Sequence, residues 1–259
     1  MDTLNQIRAT IIHLVHKAKV SHVGAALSVT DMLYMLYFKI ANVARTPDRD
    51  VIILSKGHAS AALYAVLYHR NLLDKALLDG YALNNGTLPC HIDKEKSPYF
   101  EASAGSLGHG LSIGLGMALA KRLNGHKGRI FVICGDGEMN EGSVWEAVMF
   151  AGTHHVSNLV LIVDNNRLQG FSATDKVVDQ THLSRQLQTF GFDVKDIDGH
   201  DLTQIEEALT YQPEGKPLAV VAHTIKGKGI SFMENKLEWH YKSPNDEQFA
   251  AALEELGEK

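Results

Sequence analysis

At 259 residues the chain is long enough for one large α/β domain or two small ones. Hydrophobic residues make up 45% and charged residues 21%, the proportions of an ordinary globular protein, and a formal net charge of −5 argues against general attraction to nucleic acid or an anionic membrane. Cys90 and Cys134 stand far apart and are expected as reduced thiols. Residues 1–9 carry charges and no apolar run, and no uninterrupted apolar stretch reaches the roughly 20 residues of a membrane span. No signal peptide is therefore expected, and the expected location is cytoplasmic.

Apolar residues at helical spacing, Ile7, Ile11, Leu14 and Val15, predict a first helix. Val29, Met32, Leu33 and Leu36 predict a second, with Ser28 and Asp31 preceding or opening it as helix N-terminal residues do. Residues 51–53 read as a short buried strand and 59–68 as the helix after it. From residue 107 onward the alternation is regular. Helices are predicted over 113–123, 144–153, 183–190 and 203–209, strands over 129–134, 159–163, 192–197 and 218–222, and a final helix over 246–256. Strands without polar interruption are buried on both faces, so the pattern predicts a three-layer α/β/α domain around a mostly parallel sheet. Neither an internal repeat nor a Pro/Gly/Ser linker divides the chain, and 1–259 reads as one domain. Ligands of such sheets sit beyond the carboxyl ends of the strands, so the loops after Ile53, Cys134, Val163 and Ala222 are the ones to read.

Two of these loops pair a carboxylate with an amide. Gly135-Asp136-Gly137 closes one predicted strand and Asp164-Asn165-Asn166 closes the next. One carboxylate, one amide oxygen and a nearby backbone carbonyl make an incomplete all-oxygen site, the way magnesium is held when phosphate oxygens and water complete its coordination. Gly135 and Gly137 permit a tight turn, and a helix following directly would offer amide groups to an anion. Fourteen histidines are present, and His22, His58 and His109 adjoin or neighbour glycines that let a ligand approach the backbone. Gly105-x-x-Gly108-x-Gly110 has the wrong spacing for a dinucleotide fingerprint and follows no clear strand.

A Gly-Asp-Gly followed one helix and one strand later by Asn resembles the thiamine diphosphate-binding motif. The stretches 135–147 (GDGEMNEGSVWEA), 55–59 (SKGHA), 88–91 (LPCH), 105–111 (GSLGHGL) and 226–230 (KGKGI) resemble transketolase in particular, over nearly the whole chain. The resemblance implies that Asp136 and Asn166 bind magnesium (or calcium or manganese) through side chains and Leu168 through its carbonyl, with Gly137 and Asn166 at the cofactor and Asn165 a bystander. His22 and His91 resemble histidines that bind sugar hydroxyls, and His58 and His240 those between diphosphate and reacting carbon. These four would handle the hydroxyl protons. Lys226 resembles a diphosphate contact, Gly105, Ser106 and Leu107 the turn beside the thiazolium, and Glu141 a glutamate of the subunit interface coupling paired sites. Departures are Ala25 in place of a serine found in some members, His109 in place of glutamine, and Cys90 and Ile92 flanking His91 in place of glycine and proline.

No stretch resembles the pyrimidine-binding domain that follows in transketolases. The expectation is therefore the N-terminal subunit of a split transketolase, moving a two-carbon ketol unit from a ketose phosphate to an aldose phosphate. A C-terminal subunit would supply the catalytic glutamate and the sugar-phosphate-binding residues in an α2β2 assembly. Alternatives are a transketolase specialised for a sulfonated or branched sugar, a deoxyxylulose phosphate synthase-like enzyme or keto-acid dehydrogenase component, and a non-catalytic regulatory relative. The histidine set and the intact Asp136 and Asn166 speak against the last two classes.

Overall fold

The computed structural model describes residues 1–258; Lys259 lies outside them. Five strands, β1 (Val51–Leu54), β2 (Ile130–Gly135), β3 (Leu159–Asn165), β4 (Asp193–Asp198) and β5 (Leu218–His223), form one parallel sheet in the order β1-β2-β3-β5-β4. Successive side chains of a strand point to opposite faces, and here both faces are apolar. Ile52, Leu54, Phe131, Ile133, Val160, Ile162 and Val220 face one core; Val51, Ile53, Ile130, Val132, Leu159, Leu161 and Val221 face the other. The first core is closed by α1 (Thr3–Ala18), α2 (Val23–Met35), α3 (Ser60–His69), α9 (Leu202–Thr210) and α10 (Asp246–Leu256), and the second by α5 (Gly110–Leu123), α6 (Gly142–Thr153) and α8 (Leu183–Thr189). The predicted three-layer arrangement is what forms, with short helices α4 (Lys75–Asp79) and α7 (Thr174–Val177) added in the loops.

Local chemistry explains the helix ends. Asp2 caps α1 by accepting from Asn5 N–H at 2.8 Å, and Lys19 in the left-handed region ends it. Asn245 and Gln248 form a reciprocal capping box on α10, which ends at Gly257 with φ 81°. The helix then docks on α1, where His16 stacks on Phe249 with ring centroids 4.1 Å apart.

Two expectations fail instructively. The second helix begins at Val23, so Ser28 and Asp31 lie in its buried interior rather than at its start. Both have partners elsewhere: Ser28 donates to Asp164 at 2.6 Å, and Asp31 accepts from Arg8 at 2.6 Å. The apolar spacing marked the helix, but these polar side chains serve tertiary contacts. The strand predicted over 192–197 is an edge strand with polar Asp193, Lys195, Asp196 and Asp198, and only Ile197 in it is buried. It is not buried on both faces, as the interior strands are.

Val23–Ile40 is the one described helical stretch apolar and long enough to cross a membrane, and 78% of it is buried within the domain. Its hydrophobicity belongs to the core between α1, α3 and the sheet.

Candidate functional site

The loops at the carboxyl end of the sheet converge on one cleft. His22 sits at the N-terminus of α2 with φ 74°, a conformation held by its own N–H donating to His240 O at 2.9 Å. His58 lies in the 3-10 turn Gly57–Ala59 directly after β1, and His240 ends the 3-10 turn Leu237–His240. Ring centroids stand 5.1 Å apart for His22–His58, 4.8 Å for His22–His240, 5.8 Å for His58–His240 and 5.8 Å for His22–His91. All four histidines singled out from the sequence therefore meet, although 218 residues separate His22 from His240. Cys90, where the family usually has glycine, places its Sγ 3.4 Å from His91 Nδ1.

Cations set the electrostatics. Lys226, almost wholly buried, donates from Nζ to Leu168 O at 2.9 Å and Gln169 O at 3.2 Å, and lies 3.0 Å from His240 Nδ1. Burial first and then nearby Lys56 lower its pKa to about 8. Burial, assisted by His91, Lys226 and Lys56, lowers His22 to about 4. Burial with Lys226, His22 and Lys56 lowers His240 to about 3. His58 is pushed well below its ordinary value by burial and then Lys56. At neutral pH these three rings are uncharged, so each offers one N–H donor and one acceptor nitrogen. Neutral imidazoles beside free ammonium charge suit a ligand carrying hydroxyls and phosphate.

The turn after β2 forms as expected, with one correction. Asp136 is followed not by an α-helix but by a 3-10 turn, Gly137–Asn140, and α6 starts only at Gly142. Asp136 Oδ1 accepts from Gly137 N–H at 2.7 Å and Oδ2 from Thr174 Oγ1 at 2.9 Å. Both donors are neutral, and burial raises the Asp136 pKa. Asn166 is buried at the end of β3, its Oδ1 accepting from Leu168 N–H at 3.1 Å. Among the described residues no group of three or more His, Cys, Asp or Glu side chains is arranged to hold a metal. The donor set expected from the sequence has a single carboxylate, so it fits a hard cation only when a ligand such as a diphosphate supplies further oxygens. Gln169 Nε2 is buried without a partner, and its side chain lies where a Cβ on Gly137 would come within 3.2 Å. An orphan donor beside a bare glycine backbone fits a phosphate acceptor.

Gly105, Ser106 and Leu107 lie in a turn that is largely exposed. Behind it, Gly108 N–H donates to Glu138 Oε1 at 2.9 Å and Gly110 N–H to Ser55 Oγ at 3.1 Å, while Ser55 donates to Glu138. Gly108 has φ 84°, and a side chain there would strike Glu141 and Ser143. Glu141 itself is exposed at the N-terminus of α6, against this turn and not in the histidine cleft. Asn165 points away from Asn166, 3.4 Å from His223 Nδ1. It lines a separate open cleft of about 1040 Å³ that Asn166, Leu168 and Thr174 flank but that none of the four histidines reaches.

Sequence reading missed the groups beneath the cleft. Lys56 pairs with Asp164, both at most 1% exposed, and Asp164 also accepts from Ser28 and Thr224. Burial pushes Asp164 up, but Lys56 and the three donors outweigh it and hold the carboxyl below its ordinary value. The signal was present: a charged residue closing an entirely apolar strand needs a buried counter-charge, and Lys56 stands two residues past β1.

The family model described as "Transketolase, thiamine diphosphate binding domain" matches residues 1–259. One of the two apulose-4-phosphate transketolase subunits of Actinobacillus succinogenes is 39% identical over 91% of this chain and 87% of its own length. A 6-deoxy-6-sulfo-D-fructose transketolase subunit of Clostridium sp. (strain MSTE9) is 37% identical over 97% and 94%. Among solved structures, transketolase from Campylobacter jejuni superposes with a TM-score of 0.88 at 28% identity, covering 98% of this chain but 42% of the longer one. The chain belongs to the transketolase family and is built as its thiamine diphosphate-binding domain.

Proposed function

We propose that this chain is the cofactor-binding subunit of a two-component transketolase, transferring a two-carbon ketol unit between sugar phosphates. The observation that carries the reading is the meeting of His22, His58, His91 and His240 beside Lys226, one contact away from Gln169 and the Gly137 turn. Thiamine diphosphate, when bound, supplies the carbanion chemistry that breaks and makes the carbon–carbon bond. The chain's residues bind and orient. Gly137, Gln169 and Lys226 face the diphosphate; Asp136, Asn166 and the Leu168 carbonyl hold magnesium, the last shared with Lys226. The neutral His22 and His91 hydrogen-bond sugar hydroxyls, and His58 and His240 exchange protons with the oxygen at the reacting carbon.

Completion by a second subunit is supported by the surface. Helices α5 and α6 pack side by side and expose Ile113, Met149 and Phe150, each 38–43% accessible, next to Glu141 and the Gly105–Leu107 turn. Large apolar side chains gathered on one helical face suit a partner interface. We place there the subunit carrying the pyrimidine-binding domain, its catalytic glutamate and the sugar-phosphate contacts, in an α2β2 assembly.

The substrate is a specialised sugar in the second reading, favoured because two relatives that match nearly end to end are named for apulose 4-phosphate and a sulfonated fructose. The test is a donor panel assayed with the co-expressed partner: xylulose 5-phosphate, fructose 6-phosphate, apulose 4-phosphate and 6-deoxy-6-sulfofructose. Turnover of any one of them that depends on both subunits supports ketol transfer and names the sugar. Cofactor-saturated complex with no release of aldose from any donor overturns it.

A further inference from the structure

The loop 225–230 carries Lys226 and makes a sharp path with Gly227 at φ 83° and Gly229 at φ 92°. It spans no strand or helix, yet Lys226 is almost wholly buried and aimed at the Leu168 carbonyl. What fixes it is a carboxylate on α2. Asp31 Oδ2 lies 2.8 Å from His200 Nδ1 and accepts from Arg8 Nη2 at 2.6 Å. His200 Nε2 lies 2.8 Å from the Ile225 backbone N–H. A backbone amide can only donate, so Nε2 is the acceptor, and the ring proton must be on Nδ1, donated to Asp31. At the other end of the loop the Arg8 side chain lies directly under Gly229, leaving no room for a Cβ. In the middle, Gly227 N–H donates to Gly24 O at 3.0 Å, on the first turn of α2.

We propose that His200 is a positioning residue for cofactor binding: Asp31 locks its Nδ1–H tautomer, and the lone pair so exposed on Nε2 holds Ile225 and thereby aims Lys226. The inference rests on the reading of Lys226 as a diphosphate contact. One buried carboxylate thus ties both ends of the Lys226 loop to the helix whose N-terminus bears His22, so cation and sugar-binding histidine are set by the same rigid element. Arg8 neutralises Asp31, which leaves the His200 ring in its neutral form without an unpaired charge. Ile225 N–H finds its partner in the ring nitrogen rather than in a sheet or helix ladder.

The test begins on the unmodified chain. Nitrogen-15 chemical shifts of His200 at neutral pH are expected to show a protonated Nδ1 and an unprotonated Nε2; the opposite tautomer or an imidazolium overturns the proposal. His200→Ala removes both bonds. His200→Asn keeps a donor for Asp31 but is too short to reach Ile225, which isolates the loop contact from the buried carboxylate. In either variant, amides 225–230 are expected to exchange about 5- to 10-fold faster, while those of β2 and β3 are unchanged. Unchanged exchange over 225–230 in folded His200→Asn overturns the latch. With the partner subunit present, half-saturation by thiamine diphosphate is expected about 5- to 10-fold higher, with kcat at saturating cofactor preserved. Faster loop exchange with unaltered cofactor affinity overturns the positioning role. Absence of cofactor binding by the unsubstituted complex instead overturns the proposed function and leaves the tautomer and exchange results to judge the latch.

Discussion

Asp136 and Asp164 close neighbouring strands, are 3% and 0% exposed, and answer burial in opposite directions. Asp164 is surrounded by Lys56, Ser28 and Thr224, and its carboxyl is held below the ordinary range. Asp136 meets only neutral donors, Thr174 and the Gly137 amide, and burial raises it. A carboxylate with an internal counter-ion is part of the framework. One left buried without a counter-ion is disfavoured until a cation arrives, which is what a metal ligand requires. The two residues look alike in the sequence; the difference between structure and function lies in what the rest of the fold places beside them.

The largest effect is expected from breaking the framework pair. Lys56→Met leaves Asp164 buried without its counter-charge and should lower the unfolding free energy by about 3–5 kcal/mol in urea titrations. Lys56→Met combined with Asp164→Asn removes the charge as well and should recover part of the loss. Equal destabilisation in the single and double variants would deny that the pair is coupled.

Asp136→Asn reverses the pattern. Removing an uncompensated buried carboxylate should leave unfolding free energy within about 1 kcal/mol of the parent chain. Magnesium-dependent cofactor binding should weaken about 100-fold, read by calorimetry. Loss of stability comparable to that of Lys56→Met would place Asp136 in the framework too.

The histidines extend the contrast and carry the smallest effect. His22, His58 and His240 face Lys56 and Lys226 without a carboxylate, and all are shifted down. Their folded pKa values lie below the unfolded value of about 6.5, so between pH 6.5 and about 4 the unfolded chain binds more protons. Stability should therefore rise with pH across that window and be lost on acidification. His58→Gln should make the slope shallower in urea midpoints measured from pH 7 to 4.5. An unchanged slope would mean that His58 is not buried as a neutral ring.

Much of the fold was legible because parallel strands announce themselves as apolar runs. Residues 159–163 and 218–222 are buried on both faces, and the periodicity of 7–15 marks α1. The edge strand β4 escaped this logic, since a strand paired on one side can be polar. The beginning of α2 was misplaced because Ser28 and Asp31 look like capping residues, when tertiary partners Asp164, Arg8 and His200 explain them. The cleft itself was legible as a set of motifs, His22, His58, His91, His240, Lys226 and the Asp136 and Asn166 loops. Their supports were not. Glu138, Ser55, Lys56 and His200 act through contacts between distant segments, and no local spacing predicts that Ser55 will meet Glu138 or that His200 will meet Asp31.

The central claim is that this chain holds thiamine diphosphate through Asp136 and completes catalysis only with a second subunit. The direct measurement is magnesium-dependent thiamine diphosphate binding and ketol transfer, for the chain alone and co-expressed with a C-terminal transketolase subunit. The account predicts transfer only in the mixture, abolished by Asp136→Ala while the two subunits still co-purify. Absence of cofactor binding in both preparations, or full transfer retained by Asp136→Ala, would contradict it.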